Sequence, residues 1–172
     1  GLTSGQLLKM QTEDFANLST SAIKSLTSTQ APNLTTDQVA SLTSAQIKAL
    51  ETEDFAALTT AQVVALGTAQ MSSITTDQLA GMTNGQVAAI ETRDLVQLST
   101  AQFQAFTTSQ MPALTTLQMA NLTTTQVATL QTADVAQLTG NQIGAFTSAQ
   151  LPSLTTDHVA AMTTVQINGL TS

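Results

Sequence analysis

The amino-acid sequence predicts an all-α fold: a solenoid of very short capped helices, one for each eight-residue repeat. Three observations carry this. One octad recurs about twenty-one times, and its phase does not slip between Leu2 and Leu170. Its first and sixth positions are apolar throughout, apart from a small Ala31. Its second and fifth positions pair Thr with Gln in the spacing of a helix N-terminus. Self-similarity at a fixed short period is the signature of repeat architectures, in which stacked copies share one core.

The elements follow from the unit Leu34-Thr35-Thr36-Asp37-Gln38-Val39-Ala40-Ser41 and its immediate successor Leu42-Thr43-Ser44-Ala45-Gln46-Ile47-Lys48-Ala49. A single long helix fails, because eight residues turn through about 800° and the apolar stripe would drift about 80° per octad. A strand fails too, because positions one and six have opposite parity and would face opposite sides of a sheet. A helix restarted every eight residues satisfies both constraints. The Thr hydroxyl at position two accepts from the N–H three residues on, and the Gln at that residue reaches back to the Thr N–H. Thr35 with Gln38, Thr43 with Gln46 and Thr59 with Gln62 are such capping boxes. The apolar residues at positions one and six are the two halves of a hydrophobic staple, and the next Thr pair ends the helix.

Four octads depart together: Gln11, Glu51, Glu91 and Gln131 replace the cap Thr, and Asp14, Asp54, Asp94 and Asp134 replace the Gln. Either the preceding helix runs through these sites or the next residue, Thr12, Thr52, Thr92 or Thr132, takes over as cap. These octads recur every forty residues. Pro32, Pro112 and Pro152 keep the same beat with Ser72 in the missing slot, as do Asp37, Asp77 and Asp157 with Leu117 in theirs. The beat leads to an expectation of five helices per superhelical turn. Its alternative is duplication of a forty-residue segment with no five-fold geometry.

The 172 residues are 42% hydrophobic and 9% charged, too apolar and too weakly charged for a disordered tract. They read as a single continuous array, 1–172, cut from a longer protein, since Gly1 and Leu170-Thr171-Ser172 fall inside octads. The net charge of −7 and four unclustered bases (Lys9, Lys24, Lys48 and Arg93) argue against nucleic acid and anionic membranes. No apolar run is long enough to span a bilayer, so no membrane insertion is expected. Cys is absent, which excludes disulfides and thiolate metal sites.

Few residues suggest chemistry. With five octads per turn, Asp14, Asp54, Asp94 and Asp134 would stack into an acidic ridge able to offer oxygen ligands to Ca²⁺, although Arg93 interrupts it. Asp near a helix N-terminus is otherwise explained by the helix dipole. His158, the sole His, stands in a Gln slot and reads as a hydrogen-bonding substitute for an amide. The repeated Thr raise ice binding as a lesser alternative, but their hydroxyls are engaged as caps. No nucleophile–base set, paired-carboxylate cleft or phosphate loop is present, and the five Phe occupy core slots. No enzyme activity and no cofactor are expected.

The octad Leu58-Thr59-Thr60-Ala61-Gln62-Val63-Val64-Ala65 resembles Thr/Gln-rich octad tracts of very large secreted or surface proteins of bacteria. The resemblance spans the chain. It implies an extracellular or cell-surface stalk or adhesin segment whose partners are neighbouring repeats and flanking domains. The leading functional expectation is therefore a structural spacer. The alternative is a repeat module that recognises a surface protein or glycan through its variable fourth positions.

Overall fold

The computed structural model describes residues 3–170. Gly1, Leu2, Thr171 and Ser172, on which the reading of octads cut at both ends depends, lie outside them. The chain forms two compact units, Gly1–Ile90 and Glu91–Ser172. Each is an α-solenoid, and the described residues contain no strand.

The octad sets each local element. In the octad of Leu34 the helix runs Thr36–Ser41 with Thr35 as N-cap, and in the next it runs Ser44–Ala49 with Thr43 as N-cap. Helices are four to seven residues long, too short to persist without their neighbours. Between them the chain turns through two extended residues: Leu42 has φ −62° and ψ 135°, and Thr43 has φ −73° and ψ 159°. No described residue has positive φ. The corner therefore needs no glycine, and the β-branched Thr sits in the backbone region it prefers.

The proline octads depart from this rule. Pro32, Pro112 and Pro152 lie in 3₁₀ turns, Ala31–Asn33, Met111–Ala113 and Leu151–Ser153. Ser72, in the equivalent slot, donates its N–H to Thr68 O at 3.0 Å and keeps an α-helix, Thr68–Met71. Proline has no N–H to make that bond. The four Asp octads settle the question of their start. Gln11, Glu51, Glu91 and Gln131 are extended N-caps with no side-chain cap bond, and the helices begin at Thr12, Thr52, Thr92 and Thr132. Neither a run-through helix nor a shifted cap occurs.

Positions one and six form the core. In the first unit Val39, Ile47, Phe55 and Val63 from position six pack with Leu42, Leu50 and Leu58 from position one, all buried. In the second, Phe103 and Phe106 meet edge to face with centroids 5.9 Å apart, a preferred aromatic geometry.

The expectation of five octads per turn is wrong. Helices that pack on each other are three octads apart, as Thr52–Ala56 with Thr76–Gly81 in the first unit and Thr132–Gln137 with Thr156–Ala161 in the second. Hydrogen bonds between turns join residues 25 to 31 apart, from Ser44 Oγ to Ala69 O (25) to Gln78 Nε2 to Ile47 O (31). A turn therefore holds between three and four octads. Two medium-sized apolar side chains per octad fill a ring of that size, whereas five helices would enclose a void that close packing disfavours. The forty-residue beat is a period of sequence, not of geometry. Close stacking accounts for the small residues near octad ends. A Cβ on Gly81 would stand 2.7 Å from Thr52 Cγ2, inside van der Waals contact.

Candidate functional site

The fifth position carries the chemistry of this chain. Gln38 is representative. Its N–H donates to Thr35 Oγ1 at 3.1 Å, and its Oε1 accepts the Thr35 N–H at 3.0 Å, closing the capping box. Thr43 with Gln46 and Thr59 with Gln62 make the same reciprocal pair. The amide nitrogen does something further. Gln38 Nε2 donates to Leu7 O at 2.7 Å and to Met10 O at 3.2 Å, one solenoid turn back. Gln46 reaches Ala16 O and Leu18 O, and Gln62 reaches Ala31 O and Leu34 O. Gln70, Gln78 and Gln86 continue the series in the first unit. In the second unit Gln126, Gln142, Gln150 and Gln166 do the same. The acceptors are carbonyls at helix ends and corners, which a helix leaves without internal partners. One buried side chain thus caps its own helix at one end and satisfies the preceding turn at the other.

This second bond was not read from the sequence, although a signal for it was there. A capping box accepts Glu as readily as Gln, yet position five holds Gln in 15 octads, Asp in four, Ala22 and His158 once each, and never Glu. Absence of the isosteric carboxylate from the octads that keep the cap marks a site where the nitrogen donates.

His158 shows the same requirement met by a ring. Thr155 N–H lies 3.3 Å from Nδ1, and Nε2 lies 2.8 Å from Leu130 O. With Nδ1 accepting, the neutral ring carries its proton on Nε2, so the imidazole reproduces the acceptor and donor of the amide.

The four Asp do not form the acidic ridge. That arrangement needed residues forty apart to stack, whereas stacked residues are 25 to 31 apart. Among the described residues no three Asp, Glu or His side chains are grouped so as to hold a metal ion. Asp14 is exposed, while Asp54, Asp94 and Asp134 are buried. Asp94 has the guanidinium of Arg93 beside it, Nε to Oδ2 at 3.6 Å, and Arg93 also pairs with Glu91 at 2.6 Å. Asp54 has no such cation. Burial, and then the negative charges of Glu51 and Glu53, push its carboxyl above the ordinary Asp value of 3.8. It lines an open groove of about 530 Å³ with Leu26, Thr27, Ser28, Glu51, Thr52 and Glu53.

A family model described as the ALTTAQ repeat matches residues 7–44, 47–84, 87–124, 127–164 and 140–172. The first four matches begin forty residues apart, the period of the Asp and Pro octads. Its six-letter signature stands here as Ala57-Leu58-Thr59-Thr60-Ala61-Gln62, one corner and one capping box. No curated protein matches the chain.

Two outcomes are expected. Gln78→Glu keeps an oxygen for the Thr75 cap but loses the donor to Ile47 O and Leu50 O and buries a carboxylate. It should destabilise by about 2–4 kcal/mol in denaturant unfolding. The same change at Gln6, which caps Thr3 in an exposed setting, should cost less than about 0.5 kcal/mol; equal effects would remove the amide's role between turns. Asp54→Gln should stabilise by about 1–2 kcal/mol at pH 7 by supplying the missing amide. Because the folded chain holds the Asp54 proton more tightly than the unfolded chain, wild-type stability at this site is highest below the ordinary Asp value. It falls as pH rises through the folded value. The advantage of the Gln variant should therefore shrink in melting experiments as pH is lowered toward 4, and a constant advantage would contradict this assignment.

Proposed function

The chain belongs to the ALTTAQ repeat family, and from that premise we propose that it is a structural spacer: a non-enzymatic segment of a large bacterial cell-surface or secreted protein that separates functional domains. The observation that supports this reading is the use of the Gln that fills position five in 15 octads. The position-five Gln is buried and directed at the chain's own backbone, in the cap and between turns. The amide that recurs at position five is thus consumed in holding the repeats together.

The alternative, a recognition module, would work through its variable fourth positions. The fourth positions, which vary most, hold Asp37, Ala45, Glu53, Ala61, Leu117 and Val165. They share no chemistry, being charged at Asp37 and Glu53, small at Ala45 and Ala61, and exposed and apolar at Leu117 and Val165. No helix among the described residues is long and apolar enough to cross a membrane. The spacer would be carried by flanking segments.

The chain, immobilised and exposed to cell-surface protein and glycan preparations, is expected to retain no macromolecule saturably. Saturable binding that is lost on substitution of a defined set of fourth-position residues would establish the adhesion module instead.

A further inference from the structure

The groove at Asp54 is a place where the amide series is interrupted and nothing within the chain replaces it. In octads that keep the amide, and at His158, a side-chain nitrogen reaches the position-one carbonyl 28 residues back, as Gln62 reaches Leu34 O and Gln78 reaches Leu50 O. The position-one residue 28 before Asp54 is Leu26. The Leu26 carbonyl and the Asp54 carboxylate are both acceptors, and no described donor bonds either. Asp54 is only 6% exposed, and both residues line the groove. Glu51 and Glu53 also line it. Lys24 is engaged with Glu51 at 3.4 Å and lines the neighbouring groove with Lys48 and Asp77.

We propose that this groove binds an organic cation bearing several N–H donors, a primary ammonium or a guanidinium group. An ammonium offers three donors and no acceptor, a guanidinium five, which complements a groove lined by three acidic residues. A metal ion fits less well, because no three carboxylates are grouped to ligate one. The chain itself supplies the precedent. In the equivalent octad of the second unit, position four is Arg93 rather than Glu53, and its guanidinium lies against Asp94. Glu53 reverses that charge, so at Asp54 the cation has to come from outside. The raised Asp54 carboxyl is what an unneutralised buried acid shows, and cation binding would lower it.

The full chain, ¹⁵N-labelled, should be titrated by NMR at neutral pH with n-butylammonium chloride and, separately, with acetyl-Gly-Lys-Gly-amide. Saturable shifts are expected at the backbone amides of residues 26–28 and 51–54, and the tighter probe identifies whether a free amine or a lysine side chain is the natural source. Asp54→Asn should weaken binding at least about tenfold. Asp134→Asn, at an octad that carries Gln131 and Ala133 in place of Glu51 and Glu53, should change nothing. Tetramethylammonium, equal in charge but without N–H donors, should give no saturable shift. Equal shifts with tetramethylammonium, undiminished binding by Asp54→Asn, or no shift with either donor probe would overturn the proposal.

Discussion

The carboxamide of the position-five Gln is the interaction on which the rest depends. Its oxygen fixes the start of a helix by accepting the N–H of the cap residue, and its nitrogen fixes the spacing of turns by donating to carbonyls 28 to 31 residues back. A primary amide has the necessary acceptor and paired donors on one planar group. The capping box orients it, so little side-chain freedom is lost when the second set of bonds forms. Local and long-range order are coupled through one residue, which lets helices of four to seven residues exist at all.

That coupling explains the pattern of exceptions. His158 is tolerated because its two ring nitrogens reproduce the acceptor and the donor. Asp is tolerated only at the forty-residue interval, where the cap side chain has also gone and the carboxylate stands near a helix N-terminus that favours negative charge. Asp54, Asp94 and Asp134 cannot make the amide's bonds to the previous turn. The second unit answers its first such residue with Arg93, whereas Asp54 in the first unit is left beside Glu51 and Glu53.

Much of this fold was legible in the octad, because its determinants lie within eight residues. The Thr35–Gln38 box, the apolar pair at positions one and six and the corner at the next Thr are local interactions whose spacing names them. What was not legible was how octads stack. The forty-residue beat of Asp14, Asp54, Asp94 and Asp134 suggests a turn of the solenoid, but stacked residues are only 25 to 31 apart. The size of a turn is set by core volume and by the reach of a Gln side chain, neither of which leaves a periodic mark. The 3₁₀ turns at Pro32, Pro112 and Pro152 follow from a missing N–H and could have been foreseen from the proline alone. At the candidate site, the burial of Asp54 depends on the turn beneath it, so only the exclusion of Glu from position five pointed that way.

The most direct test is to observe the side-chain amides themselves. In an ¹⁵N-edited NOE experiment, the Nε2 protons of Gln78 should show cross-peaks to the backbone of Ile47 and Leu50, and those of Gln142 to Met111 and Leu114. Their exchange with water should be far slower than that of the exposed Gln6 amide. Cross-peaks to residues forty positions away, or exchange at the rate of Gln6, would contradict the account.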